Sequence, residues 1–222
     1  MGKIFPNLLL QGNKVSIKLC VFDFDSTLMD GETIDFLAKP LGIQEEVSKI
    51  TEAAMQGKLD FFESLTKRVR LLKGLDYKDV QAICQNLPYM PGASKCIKTL
   101  KDRGIRVVVF SGGFKPATSH AREVLGFDAD FSNTLHVKDG KLTGEVGGEM
   151  MFDTSKGTML QTIQRLLHVK PEETMAVGDG ANDRSMFAHA DLKIAFCAKP
   201  ILKEAATYCV DEKNLEEIIK FI

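Results

Sequence analysis

Residues 17–27 read IKLCVFDFDST. The near-continuous apolar run through Phe22 is what a strand buried on both faces requires. It ends in two carboxylates, Asp23 and Asp25, with Ser26 and Thr27 placed to cap the turn that follows. Open α/β sheets hold their ligands at the C-terminal ends of strands, so this segment marks the mouth of a site. The i, i+2 spacing lets both acids face that mouth. A pair of plain loop acids is the bland alternative, but like charges closing a hydrophobic strand call for a cation or a proton.

Working outward, the next such strand is IRVVVFSGG (105–113), followed by TMAVGDG (174–180), LKIAFCA (192–198) and a short YCV (208–210). Helical stretches over 93–103, 115–125, 156–167, 183–189 and 214–221 separate them. This alternation predicts an α/β fold, a Rossmann-like parallel-sheet core covered on both sides. From Thr33 to Pro91 the pattern is helical only (33–39, 43–56, 60–73, 76–86). The expectation is a small helical cap inserted after the first strand, with NLPYMPG (86–92) as the return linker, since its two prolines cannot continue a helix. The expected organisation is thus a leader of unread role over 1–16, a catalytic core from 17–32 and 92–222, and a cap over 33–91. Asp139-Gly140, between alternating segments of 131–148, signals a hairpin.

The 29 Lys+Arg against 30 Asp+Glu, a formal charge of −1, argue against a nucleic-acid grip. The longest apolar runs, VVVF and LLL, fall far short of the roughly 20 residues a bilayer span needs. Residues 1–17 (MGKIFPNLLLQGNKVSI) lack the continuous apolar region of a signal peptide, which sets the expectation of a cytoplasmic location. The five cysteines form no CxxC pair. Cys20, Cys197 and Cys209 lie in apolar runs and are expected as small core hydrophobes.

GDGANDRSMF (178–187) repeats the device of the first strand, with Asp179 and Asp183 bracketing a glycine-rich turn that carries Asn182. Alone it also fits a turn followed by a helix cap. Together with DFDST it describes hard oxygen ligands at the ends of different strands, a Mg²⁺ site with open positions for phosphate. His120, His136, His168 and His189 are isolated, so no softer metal competes. VVVFSGGF (107–114) aims Ser111 and free N–H groups of Gly112 and Gly113 at an anion, unless it is a plain strand-to-helix turn. Lys156 opens a helix where the dipole disfavours a cation, which leaves open whether it answers an anion. Phe61, Leu65, Arg68 and Leu72 share one helical face. A charge centred on that apolar stripe either snorkels or meets an anion. Glu32 is equally compatible with a helix-start carboxylate.

DFDSTLMDGET, SGG, the helix-opening Lys156 and GDGANDRSMF occur in the order of the four haloacid dehalogenase motifs. From about Ile17 to the C-terminus the chain resembles the phosphoserine phosphatase family of that superfamily. The leader lies outside the resemblance, and no amino-acid-binding regulatory domain of the kind some relatives carry is expected before it. The resemblance implies a Mg²⁺-dependent phosphatase that converts O-phospho-L-serine to L-serine and phosphate, the final step of serine biosynthesis. It makes Asp23 the nucleophile and Asp25 the proton donor and base. It puts the metal on Asp23, Asp179 and the Asp25 carbonyl, with Asp183 in support. Ser111, Gly112, Lys156 and Asn182 would hold the phosphoryl group, Arg68 and Glu32 the two ends of the amino acid. The implied partner is this small molecule alone, with no nucleic acid, membrane or obligate protein partner. A phosphatase or phosphotransferase for another small metabolite would share the core motifs. A receiver module phosphorylated on aspartate is disfavoured by the 33–91 insert and by Asp25, which would hasten loss of its own signal.

Overall fold

The structure, a computed structural model, describes residues 16–55 and 58–222. Of the expected leader, all but Ser16 lies outside the described residues. The centre of the fold is β1 (Leu19–Asp23), five residues that are all buried. The chain then passes through α1 (Thr33–Ala38), α2 (Gln44–Met55), α3 (Phe61–Leu71), α4 (Tyr77–Gln85) and α5 (Ala93–Asp102) before the sheet resumes at β2 (Arg106–Phe114). There follow α6 (Lys115–Leu125), β3 (Ala129–Lys138), β4 (Lys141–Gly148), α7 (Ser155–Leu167), β5 (Thr174–Gly178), α8 (Arg184–Phe187), β6 (Leu192–Phe196), α9 (Pro200–Lys203) and β7 (Tyr208–Val210). A 3₁₀ helix over Leu215–Phe221 ends the chain.

The sheet order is β4-β3-β2-β1-β5-β6-β7, parallel except for β4. Successive residues of β1 face opposite layers: Cys20 and Phe22 belong to one hydrophobic cluster, Leu19 and Val21 to the other. That period of two, apolar on both faces, is why the strand reads as an unbroken hydrophobic run. The expected hairpin is present, with Asp139 and Gly140 both at positive φ (51° and 76°), as a two-residue primed turn requires. Its first strand pairs with β2, so the hairpin widens the sheet.

The segment between β1 and β2 is helical as expected. Its apolar faces, through Leu37, Val47, Leu65, Val69, Leu72, Val80 and Cys84, join the larger cluster. It is also tied to the hairpin by backbone: Gly74 N–H donates to Leu142 O (2.9 Å), Leu142 N–H to Leu75 O (2.9 Å) and Tyr77 N–H to Gly140 O (2.8 Å). Where the chain leaves β1 and where it returns, it pairs with itself through a Met29–Tyr89 bridge, with Asp30 N–H on Pro88 O and Met90 N–H on Leu28 O.

Three local expectations differ. Cys197 and Cys209 are exposed rather than core, Cys197 because it lies just past the end of β6 and Cys209 because it sits in the edge strand β7; Cys20, Cys84 and Cys96 are buried. The helix expected over 183–189 is a 3₁₀ turn (Ala181–Asp183) running into the four-residue α8. The proline-led α9 gave no signal in the hydrophobic pattern. Among the described residues no helix is long and apolar enough to cross a membrane.

α7 reaches the sheet mouth by lying against α8. A Cβ on Gly157 would fall 2.6 Å from the Ser185 carbonyl oxygen, a backbone atom that cannot swing away. Gly157→Ala is therefore expected to destabilise the protein by about 1–3 kcal/mol despite alanine's better helix propensity. The midpoint of urea unfolding measures it.

Candidate active site

β1 stops at Asp23 because the next five residues, Phe24–Leu28, form one wide helical turn closed by Met29 N–H on Phe24 O (2.9 Å). Inside it Asp25 is extended and Ser26 sits at φ 57°, a left-handed conformation held by Ser26 N–H on Gly31 O (2.8 Å). The kink turns both carboxylates to the mouth of the sheet. Oxygens of Asp23, Asp179 and Asp183 lie within 4.8 Å of one another. Lys156 Nζ, from the first turn of α7, stands 2.6 Å from Asp23 Oδ1 and 2.6 Å from Asp183 Oδ1. Asp183 Oδ2 accepts the N–H groups of Asp179 and Gly180, both at 3.0 Å, so this acid fixes the GDG loop.

The three acids outnumber the one lysine in a buried space. Burial first, then Asp183, pushes Asp23 well above the usual carboxylate range, against the pull of Lys156. The same two causes bring Asp179 up to about 6. Burial alone would lower Lys156, but Asp183 and Asp23 outweigh it and raise its pKa. The site is thus short of positive charge. Its donors are all carboxylate oxygens, which fits a hard divalent cation such as Mg²⁺.

Asp25 has two unlike oxygens. Oδ1 accepts twice from Thr33, from N–H at 2.8 Å and from Oγ1 at 2.5 Å; Oδ2 faces Ser111 Oγ at 3.3 Å. Burial raises its pKa, opposed by the Thr33 bonds. Two donors on Oδ1 leave Oδ2 as the oxygen that carries a proton. Ser111 also accepts Gly113 N–H at 2.9 Å. No side chain fits at the two glycines: a Cβ on Gly112 would lie 2.7 Å from the Phe61 ring, one on Gly113 2.6 Å from Asp25 Oδ2.

A cavity of about 1080 Å³ opens above these groups, lined among others by Asp23, Asp25, Glu32, Arg68, Gly112, Asp179 and Asn182. Ser111, Lys156 and Asp183 lie behind its floor, bonded to the residues that form it. All ten residues singled out from the sequence therefore converge. Glu32 accepts Ser26 Oγ at 2.7 Å, and burial, then Asp25, raises it to about 7. Arg68 bonds only its own helix, Nε to Ser64 O at 3.3 Å, and makes no ion pair among the described residues. Burial lowers its pKa, while Glu32 and Asp25 oppose the shift.

Sequence reasoning missed three contributors. Thr33, the first residue of α1, holds Asp25. Lys199 lines the cavity, and its charge lowers the pKa of both Asp179 and Glu32. Asn133 is wholly buried behind the SGG loop. The last gave no distinct signal, since Asp130 and Ser132 of the same strand are buried polar residues too.

A haloacid dehalogenase-like hydrolase family model matches residues 17–191. The chain belongs to that family. It is 64% identical over 203 residues to the phosphoserine phosphatase of Wolinella succinogenes, covering 91% of this chain and 98% of that one. The solved structure of a phospho-aspartyl intermediate analogue of phosphoserine phosphatase superposes with a TM-score of 0.89 at 52% identity, over 93% of this chain and 99% of that one. A substrate-bound phosphoserine phosphatase complex superposes with the same score, identity and coverage. In this haloacid dehalogenase-like hydrolase the acids, the SGG loop and the GDG loop described above stand at the ends of β1, β2 and β5.

The shift at Glu32 sets a pH dependence of stability. The folded chain holds this proton up to about pH 7, the unfolded chain only to its ordinary 4.5. Folding therefore opposes the ionised form, and stability falls as pH rises through that window. In chelator-treated protein, Glu32→Gln is expected to raise the thermal midpoint above pH 7, with the gain vanishing below pH 4.5. A pH series of thermal unfolding curves checks it.

Proposed function

We propose that this hydrolase cleaves O-phospho-L-serine to L-serine and phosphate through an aspartyl-phosphate on Asp23, with Mg²⁺ as cofactor. The observation that carries the reading is the pair Arg68 and Glu32. A guanidinium with no ion-pair partner among the described residues and a carboxylate line the same cavity as Asp23 and Asp25. One cation and one anion match the carboxylate and ammonium of an amino acid, and the planar fork of Arg68 suits a carboxylate. The similarity to phosphoserine phosphatases over more than nine-tenths of the chain supports the same substrate.

In the first half, an Asp23 oxygen attacks phosphorus in line with the serine oxygen. The P–O bond breaks, its electron pair goes to that oxygen, and the proton on Asp25 Oδ2 follows. A serine alkoxide is a poor leaving group, which is why an acid stands two residues from the nucleophile. In the second half, the Asp25 carboxylate takes a proton from the water that attacks the aspartyl-phosphate, releasing phosphate and restoring Asp23. Lys156 holds Asp23 in place, and with Asn182 and the Gly112 N–H it would stabilise charge on the phosphoryl oxygens, which Ser111 would border while its one hydroxyl hydrogen lies toward Asp25. Asp23, Asp179 and the Asp25 carbonyl would hold Mg²⁺, with Asp183 behind them. When bound, the cation neutralises the acid cluster and polarises the phosphoryl group. Residues 33–91 act as a cap on the core (17–32 and 92–222), with the paired segments around Met29 and Tyr89 as its root. A cytoplasmic setting suits a small diffusible substrate and five free thiols.

Two variants test this. Asp23→Asn barely changes volume but removes the nucleophile, so turnover should fall to background in a protein that still folds; retained activity would exclude the covalent route. Arg68→Ala should lose about 2–5 kcal/mol of transition-state binding for phosphoserine, a factor of roughly 30 to several thousand in kcat/KM. An aryl phosphate with no carboxylate should be spared. Equal losses on both substrates would withdraw the serine assignment.

A further inference from the structure

We infer that Asn133 is a positioning residue for the proton donor Asp25, acting through the Gly112–Gly113 peptide and Ser111. Asn133 has no solvent exposure. Its Nδ2 donates to Gly112 O at 3.0 Å and to Met150 O at 3.1 Å, and its Oδ1 accepts Met150 N–H at 3.0 Å. Both amide protons are spent and the third bond fixes which end is oxygen, so the side chain has one orientation. It is also placed where the β2–β3 ladder loses register, between Phe110 and Phe114. There the amide supplies a donor to a carbonyl beside the break.

What this does at the site follows from peptide geometry. The structure has no cis peptide bonds. In a trans peptide the C=O and N–H point in opposite directions. Pulling Gly112 O toward Asn133 therefore turns Gly113 N–H the other way, onto Ser111 Oγ at 2.9 Å. With its lone pair so engaged, the Ser111 hydroxyl directs its own hydrogen to Asp25 Oδ2 at 3.3 Å. The line ends on the oxygen that Thr33 leaves to carry the proton. Gly113 also has to stay where it is, because its Cα lies against Asp25 with no room for a Cβ. A loop free to rotate at this peptide would carry away both the bond on Ser111 and the wall behind Asp25.

The inference rests on the reading of Asp25 as proton donor, and the leaving group separates the two. An alkyl phosphate needs the proton; an aryl phosphate, whose oxide leaves unaided, scarcely does. We would measure kcat/KM, which reports the steps up to transfer onto Asp23, for phosphoserine and p-nitrophenyl phosphate. The proteins are the wild type, Asn133→Ala, Asp25→Asn, Ser111→Ala and the Ser111→Ala/Asn133→Ala double variant. A misplaced catalytic group typically costs about 100-fold. Asn133→Ala is expected to lose about 10–100-fold on phosphoserine and less than about threefold on the aryl phosphate. In the Ser111→Ala background the further loss should largely disappear, because the line is already cut. Equal losses on the two substrates, or full additivity with Ser111→Ala, would overturn the inference. The ratio of the two losses does not depend on the folded fraction. If Asn133→Ala folds poorly, Asn133→Ser, which keeps one donor, gives the same comparison. Selective damage in Asp25→Asn without selectivity in the Asn133 variants refutes this inference alone. No selectivity in Asp25→Asn refutes the reading of Asp25 and this inference with it.

Discussion

Lys156 carries a buried ammonium at a mouth where Asp23, Asp179 and Asp183 crowd together, and its two bonds at 2.6 Å join the end of β1 to the loop after β5. Much else answers to that junction. α7 has to begin at the sheet mouth, so it must pack close against α8, and Gly157 makes the approach possible. Asp183 has to receive two backbone N–H groups, so the loop after β5 must contain glycine and turn within three residues. Removing one member of a buried ion pair generally costs about 3–5 kcal/mol because the other is left stranded. The arrangement is electrostatically incomplete even so. Asp23 and Asp179 stay poised above their ordinary pKa values, a condition that suits a site built around a further cation.

The helical segment obeys a different constraint. It contributes apolar faces to the same cluster as the sheet and is stitched to the β4 hairpin by three backbone bonds. Over the cavity it presents a charge, Arg68 on α3, and an apolar ring, Phe61 against the SGG loop. The charge is where recognition of an amino acid would be enacted, and the ring is where the segment touches the machinery beneath.

The features legible in the sequence were those in which one residue type has few ways to be satisfied. Two acids ending an apolar run, a lysine at the wrong end of a helix and an arginine on an apolar stripe each announce an unmet demand, and each is met or exposed at one cavity. The strand order and the hairpin's role in widening the sheet were not legible, because register depends on partners distant in the chain. Thr33 and Lys199 were invisible for a simpler reason: a threonine opening a helix and a lysine before a proline are ordinary surface residues until the fold brings an acid beside them. Two cysteines misled because the apolar run of β6 stops at Phe196, one residue short of Cys197, and because β7, which carries Cys209, is the edge strand, leaving both thiols in solvent.

The absent side chain at Gly112 has an evolutionary consequence. The Phe61 ring fills the volume that a Cβ there would take, only 2.7 Å from its position. Positions 61 and 112 stand 51 residues apart in the chain, yet they share one small space. Neither can drift in size alone. A lineage that enlarged the residue at 112 would have to shrink or tilt the one at 61 in step, and would thereby reshape the roof of the cavity along with its floor. Divergence in which molecules such a fold accepts is thus channelled away from this pair, toward wall positions such as Arg68 that no second residue constrains so tightly.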